Sequence, residues 1–537
     1  MCLDRYLCGA RTALMTAVCA LTAVVAASAQ QASPPPVPTG ALSLEQVLEI
    51  AAARSESIGI AQAGIRRAAG DEVRARSELF PQLSLSAGYD RALASEFSGL
   101  FDSSSLPGSG NSGDGSEVAT DFSRLPFGRA NTWRLSLAFQ QNLYTGGRVD
   151  AQRKIAALGS ESAGETLTTA RAQLFYDATQ AYYDAALADR LVAIAQATAE
   201  QAGATLQQVQ VGFDAGTQPE FEVLRARVNR DNQQPVLIRQ RMNRDIALLR
   251  LKQLLDLPAE TEVRLADALG DETLPPPQVF ATRIASVEQS LVNVGRATLS
   301  SLNSGIPQPD RVVVAQSETA VRQGEAALKL AESARKPSVA LNSTYTRLAY
   351  PANDQFPIFD RSNWTVGVSL QVPILTGGRQ RGDEVVAKAD LDSARLRLQQ
   401  TRELAAVDTQ SAWAELLASR AAWEASGGTV QQANRAYEIA DVRYRNGVST
   451  QLELTDARLL LQQAEANRAV AARDLQVARA RVALLPDLPL TGATQAAAAR
   501  PTTQQVTPNA PSQQQPSPGQ QQIRTASTAG AGQTVTR

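Results

Sequence analysis

The sequence predicts an α+β membrane protein built by internal duplication, in which a few β-strands continue into very long α-helices. Three observations carry this reading. Residues 133–148 (WRLSLAFQQNLYTGGR) and 364–379 (WTVGVSLQVPILTGGR) alternate apolar with small or polar side chains, a period of two. Each stretch ends in Thr-Gly-Gly-Arg, and a long proline-free run with helical periodicity follows at once. The two stretches lie 231 residues apart, and the same separation pairs Phe213 with Tyr444, Gly216 with Gly447, Glu222 with Glu453 and Arg227 with Arg458 without a gap. So many unlike positions in register mark a duplicated unit.

Taken in order, residues 1–29 read as a signal peptide: Arg5 and Arg11, an apolar run, then Ala27-Ser28-Ala29 as a cleavage site. All three cysteines lie inside it and the chain has no histidine, so the usual zinc sites, most nucleophilic triads and disulfides are excluded from the expected mature chain. No cofactor, metal site or enzymatic activity is expected. The formal charge of −1 suggests no nucleic-acid partner. Aromatic content of 5% favours extended helices over one large globular core.

A Pro-rich spacer (residues 30–42) leads to Ser43 and Gln46, which are spaced as a capping box for a helix running to about residue 79. The first repeat spans residues 43–257, with strands at about 81–91 and 132–144 separated by a Gly- and Ser-rich loop. Its helix from 148 carries a stripe of small apolar residues at steps of three and four and would reach about 100 Å. After a turn at Gly216, Pro219 is placed to open a returning helix, in which Pro235 should cause a bend or interrupt a hydrogen bond. Residues 258–310 break the pattern and read as an equatorial belt with one helical run near 284–302. The second repeat spans residues 311–485, with strands at about 337–347 and 363–375 and a turn at Gly447. Residues 486–537, rich in Gln, Pro, Thr and Ala, read as a disordered tail. The paired glycines Gly146, Gly147, Gly377 and Gly378 suit strand-to-helix junctions that need dihedrals closed to other residues.

Strands of about ten residues with one apolar face fit a transmembrane β-barrel, but four cannot close one and lipid forbids an open edge. Several chains must therefore share a barrel, with a dimer as the minimum and a trimer of twelve strands as a comfortable solution. From the strands, long helices and matched turns, the chain resembles the TolC-like outer-membrane efflux proteins over the expected mature sequence to about residue 485. The resemblance implies a homotrimer with a 12-stranded outer-membrane barrel, four strands per chain, continued by a periplasmic α-helical barrel of coiled coils. It implies a channel for tripartite efflux or type I secretion, partnered by a periplasmic adaptor, an inner-membrane transporter and outer-membrane lipid. The alternative, a periplasmic coiled-coil adaptor without a pore, leaves the four strands unexplained.

The resemblance also places the tunnel's narrow end at the turns holding Gly216 and Gly447. It assigns Glu453 and Asp456 as aperture acids and Glu222 as the acid of the first tip. Glu453 is equally spaced as a capping-box partner of Thr450. The position of the family's gate arginine holds Ser449, which leaves Arg443 and Arg445 as candidates for closure.

Overall fold

The computed structural model describes residues 40–93, 131–266, 269, 274–285, 310–350, 359 and 361–491. The signal peptide, the spacer before residue 40, most of the first loop and the belt's helical run beyond residue 285 lie outside these residues. So does a second unit, Gly492–Arg537.

Ser43 caps the first helix through both halves of a capping box: the Gln46 amide donates to Ser43 Oγ, and the Ser43 amide donates to Gln46 Oε1 at 3.1 Å. The single helix expected from here is two, α1 (Leu44–Arg54) and α2 (Glu56–Ser77). Ser55 stands between them with ψ 125°, outside helical geometry, and its hydroxyl bonds Ser57 Oγ at 2.8 Å. A local hydroxyl contact of this kind competes with the helical ladder. Ahead of α1, the short β1 (Ala41–Leu42) pairs in parallel with β4 (Arg264–Leu265) of the belt.

Strands β2 (Gln82–Arg91), β3 (Asn131–Tyr144), β5 (Ser338–Ala349) and β6 (Arg361–Gln371) form one antiparallel sheet in the order β2-β3-β5-β6. The fourth strand is shorter than expected. Pro373 has no N–H to donate, so the ladder ends at Gln371 where an alternating pattern to 375 had suggested more strand. A register shift between Asn142 and Tyr144 lets β3 bend before the helix begins.

The two long helices, α3 (Arg148–Asp214) and α6 (Arg379–Arg445), are 67 residues each, about 100 Å at 1.5 Å per residue. Their partners are α4 (Glu220–Leu254) and α7 (Gln451–Leu484), while α5 (Val312–Ser333) packs beside α3 and α6. Pro219 is the N-cap of α4, one position before the helix, and the helix continues through Pro235. None of the described helices is long and apolar enough to cross a membrane.

The main core lies midway along the long helices, where α1 and the belt wrap α3, α4 and α7. Tyr182, fully buried, donates from Oη to the Leu42 carbonyl at 3.1 Å, and Leu251, Leu255, Phe280 and Ile284 close around it. Gln476 and Arg479 of α7 bond the Pro275 and Leu274 carbonyls at 2.7 and 2.9 Å, fixing the belt to the helices.

Residues 486–491, expected to belong to an unstructured tail, are instead packed on the helices. Leu488 and Leu490 are buried, and the Pro486 carbonyl accepts from the Val312 amide at 2.9 Å. The Arg311 guanidinium, 2% exposed, donates to Asp408 at 2.7 Å and to the Leu488 carbonyl at 3.1 Å. Residues 486–491 are held because they supply the acceptors and apolar cover a buried arginine needs.

Candidate functional site

The strand registers sort side chains into two faces. Leu85 of β2 opposes Leu137 of β3, which opposes Tyr345 of β5, which opposes Trp364 of β6. With Leu83, Val366, Val368 and Leu370 they make one apolar face across the sheet. In a soluble sheet such a face would be covered. Here Leu83 and Val368 are each 66% exposed. The opposite face is polar: Ser136 and Thr346 hydroxyls meet at 3.2 Å, and Asn342 donates to Ser369 Oγ at 2.9 Å. An apolar exterior and a hydroxyl- and amide-lined interior are what a barrel wall in lipid requires.

Each strand-to-helix junction turns on left-handed glycines: Gly146 at φ 64° and Gly147 at 91°, Gly377 at 59° and Gly378 at 87°. A side chain at Gly146 would also place Cβ 2.6 Å from Lys336 Cβ, so this junction is closed by contact as well as by dihedral. The helices thus leave the sheet through the same pair of left-handed residues in both repeats.

The far ends of the helices are two matched turns. Thr217 N–H bonds the Gly212 carbonyl at 2.8 Å and Gly216 N–H the Phe213 carbonyl at 2.9 Å. In the second repeat, Val448 bonds Arg443 at 2.9 Å and Gly447 bonds Tyr444 at 3.0 Å. Both are Schellman caps with glycine in the left-handed position, Gly216 at φ 74° and Gly447 at 69°.

At the second tip the chain reverses so that Arg443 Nη1 lies 3.2 Å from Glu453 Oε1. The Glu453 amide donates to Thr450 Oγ1 at 3.4 Å, half of a capping box, while its carboxylate goes to the arginine. Arg445 pairs with Asp441 at 2.8 Å within α6. Asp456, one turn beyond Glu453, is exposed and has no ion pair among the described residues.

Glu222 of the first tip faces the second. Its Oε2 is buried without a hydrogen-bond partner, and Tyr444 packs against Val209, Val223 and Ala226 beside it. Burial, then the Glu222 charge, pushes the Tyr444 phenol above its ordinary value. Two residues of this contact were not among the sequence candidates: Tyr444, and Arg458, which is buried and donates across to Thr205 Oγ1 of α3 at 3.2 Å. Among the described residues no acidic group converges as a metal site would need.

Comparison with known proteins agrees with this architecture. The chain is 24% identical over 443 residues to the pyoverdine export outer membrane protein OpmQ of Pseudomonas putida, covering 79% of this chain and 82% of that one. Its fold matches the Campylobacter jejuni CmeC outer membrane channel with a TM-score of 0.64 at 17% identity, over 85% of this chain and 88% of that one. It matches the Vibrio cholerae outer membrane protein VceC with a TM-score of 0.61 at 18% identity, over 82% of this chain and 96% of that one. The profile of the family described as outer membrane efflux protein matches residues 47–256 and 311–507. The chain therefore belongs to the outer membrane efflux protein family, and its place is the outer membrane, from which its long helices extend into the periplasm.

Proposed function

We propose that three copies of the chain form one channel-tunnel that carries cargo from the periplasm, or from an inner-membrane pump joined through a periplasmic adaptor, to the outside. The observation that carries the reading is the sheet itself. Four strands expose a continuous apolar face and leave the outer edges of β2 and β6 unpaired, and lipid tolerates neither edge. A twelve-stranded closure by three chains removes every edge and leaves the polar faces lining the lumen. The family and the export role in OpmQ's name favour efflux of small molecules over type I secretion of proteins.

In this assembly Glu453 and Asp456 stand at the periplasmic aperture and Glu222 and Tyr444 hold the two tips together. The four junction glycines set the angle at which helices leave the barrel. Native mass measurement of the purified protein in detergent, with conductance in a planar bilayer, tests the assembly: three chains per particle and discrete channels are expected. A stable, membrane-inserted monomer overturns it.

A further inference from the structure

One feature of the sheet is unexplained by a tunnel. Tyr89-Asp90-Arg91 closes β2 and Tyr345-Thr346-Arg347 stands near the end of β5, 256 residues apart, the separation that also aligns Pro81 with Pro337. In register, Tyr89 opposes Trp133 and Tyr345 opposes Trp364, and those tryptophans are themselves repeat mates. Each repeat therefore keeps a tyrosine, a tryptophan and an arginine at the same register positions, at the strand ends away from the helices.

The period of two puts Arg91 on the face of Tyr89 and Arg347 on the face of Tyr345, the apolar face that the proposed barrel turns to lipid. Asp90, the nearby acid, is on the opposite face, 3.9 Å from Arg134. Neither Arg91 nor Arg347 has a carboxylate partner among the described residues. The Tyr89 and Trp133 rings lie 4.8 Å apart, and Trp364 Nε1 donates to Ser343 Oγ at 3.0 Å. Arg347 Nε donates to Tyr345 Oη at 3.0 Å, which orients the guanidinium and leaves both Nη groups for another acceptor.

An arginine on the lipid face of a barrel strand is costly near the bilayer centre and tolerable only at the interface, where Tyr and Trp belts sit. Twice placing beside such a belt a guanidinium with no carboxylate partner among the described residues calls for an anion at headgroup depth, and a guanidinium matches phosphate through two parallel N–H bonds. We propose that the Tyr-Trp-Arg clusters, two in each chain and so six around a trimer, bind the phosphate groups of the lipid headgroups in the outer leaflet. Charge complementarity selects an anionic, phosphate-bearing lipid, while the aromatic pair covers the upper part of its acyl chains. The inference rests on the barrel reading, because that reading turns this face to lipid.

The test uses the full-length trimer, stripped of lipid in detergent and titrated with lipid A, with dephosphorylated lipid A and inorganic phosphate as comparison ligands, and read by native mass measurement. Wild-type trimer should retain lipid A at least tenfold more tightly than the dephosphorylated form and should not retain inorganic phosphate. The variant Arg91→Gln with Arg347→Gln should lose that tenfold preference while keeping its trimer mass and channel conductance. Arg91→Lys with Arg347→Lys should keep part of it, which separates charge from fold. Equal retention of both lipids by the wild type, or an unchanged preference in the Gln variant, overturns the headgroup site while leaving the channel intact. Failure to find inserted trimers at all would instead overturn the barrel reading and this site with it.

Discussion

Asp408 holds residues 486–491 in place, and replacing it should cost more than any surface charge in the molecule. Its carboxylate accepts from Arg311 Nη1 at 2.7 Å, from Arg481 Nη2 at 3.0 Å and from Thr491 Oγ1 at 3.0 Å. The Arg311 side chain is 2% exposed and its Nε already lacks a partner, so the guanidinium has little other solvation to fall back on. Asp408→Asn keeps the shape and removes the charge, leaving a buried cation with neutral acceptors only, the Leu488 carbonyl and the new amide oxygen. The expected loss is about 3 kcal/mol, within the range of about 3–5 kcal/mol seen when one partner of a buried pair is removed. Arg481 is not stranded in the same way, because it also pairs with Glu415, which is half exposed. Arg311→Met with Asp408→Leu removes both buried charges, and the double variant should recover to within about 1 kcal/mol of wild type. Guanidinium titrations of the detergent-solubilised protein, followed by far-ultraviolet circular dichroism, read both values. If Asp408→Asn is indistinguishable from wild type, or if the double variant is as unstable as the single, the pair is not the support described here.

Four further outcomes follow from the same geometry. Gly147→Ala should lose about 1–2 kcal/mol from its left-handed backbone alone, and Gly146→Ala more, because its methyl also meets Lys336; trimer melting temperatures in that order check this. Truncation after Thr491 should leave assembly and conductance unchanged, whereas truncation after Leu485 should weaken the trimer by removing buried Leu488, Leu490 and the acceptor of Arg311, as detergent stability assays would show. Asp177 is held above the ordinary aspartate range by burial, against the Gln173 hydrogen bond, so its folded form holds a proton longer than its unfolded form. Its contribution to stability is therefore present at low pH and lost as pH rises through its folded value, and Asp177→Asn should flatten stability against pH in that acidic window. At the proposed aperture, Glu453→Gln with Asp456→Asn should weaken cation selectivity and block by multivalent cations from the periplasmic side. Arg443→Ala should strengthen both by freeing Glu453, and single-channel recordings in a salt gradient would show unchanged selectivity in either variant if these groups lie off the pore.

The parts of the fold legible in the sequence are those in which a local period fixes the geometry. Alternation in the strands marked both faces because lipid demands one apolar side, and the absence of proline over residues 148–214 and 379–445 marked the long helices. The glycine positions were legible because left-handed dihedrals restrict the residue type. What escaped left no mark in the local sequence pattern. The break at Ser55 has no proline or glycine to announce it. The anchoring of residues 486–491 depends on Arg311 and Asp408, far upstream in the chain. The bond between Arg443 and Glu453 arises only once the Schellman turn folds α7 back on α6.

The repeat mates at the tips show why pattern alone could not rank the candidate residues. Arg458 is buried against α3, while its mate Arg227 is exposed; Tyr444 is packed into the first tip, while its mate Phe213 is 40% exposed. Identical register therefore gives different environments, because within one chain the second repeat has the first beside it and the first has nothing equivalent on its other side. The proposed trimer would supply that neighbour, setting the second tip of the next chain against Phe213 and Arg227. On this argument the exposure of those two residues in a single chain measures an interface left open, and the packing of Tyr444 against Val209, Val223 and Ala226 is the pattern its closure would repeat.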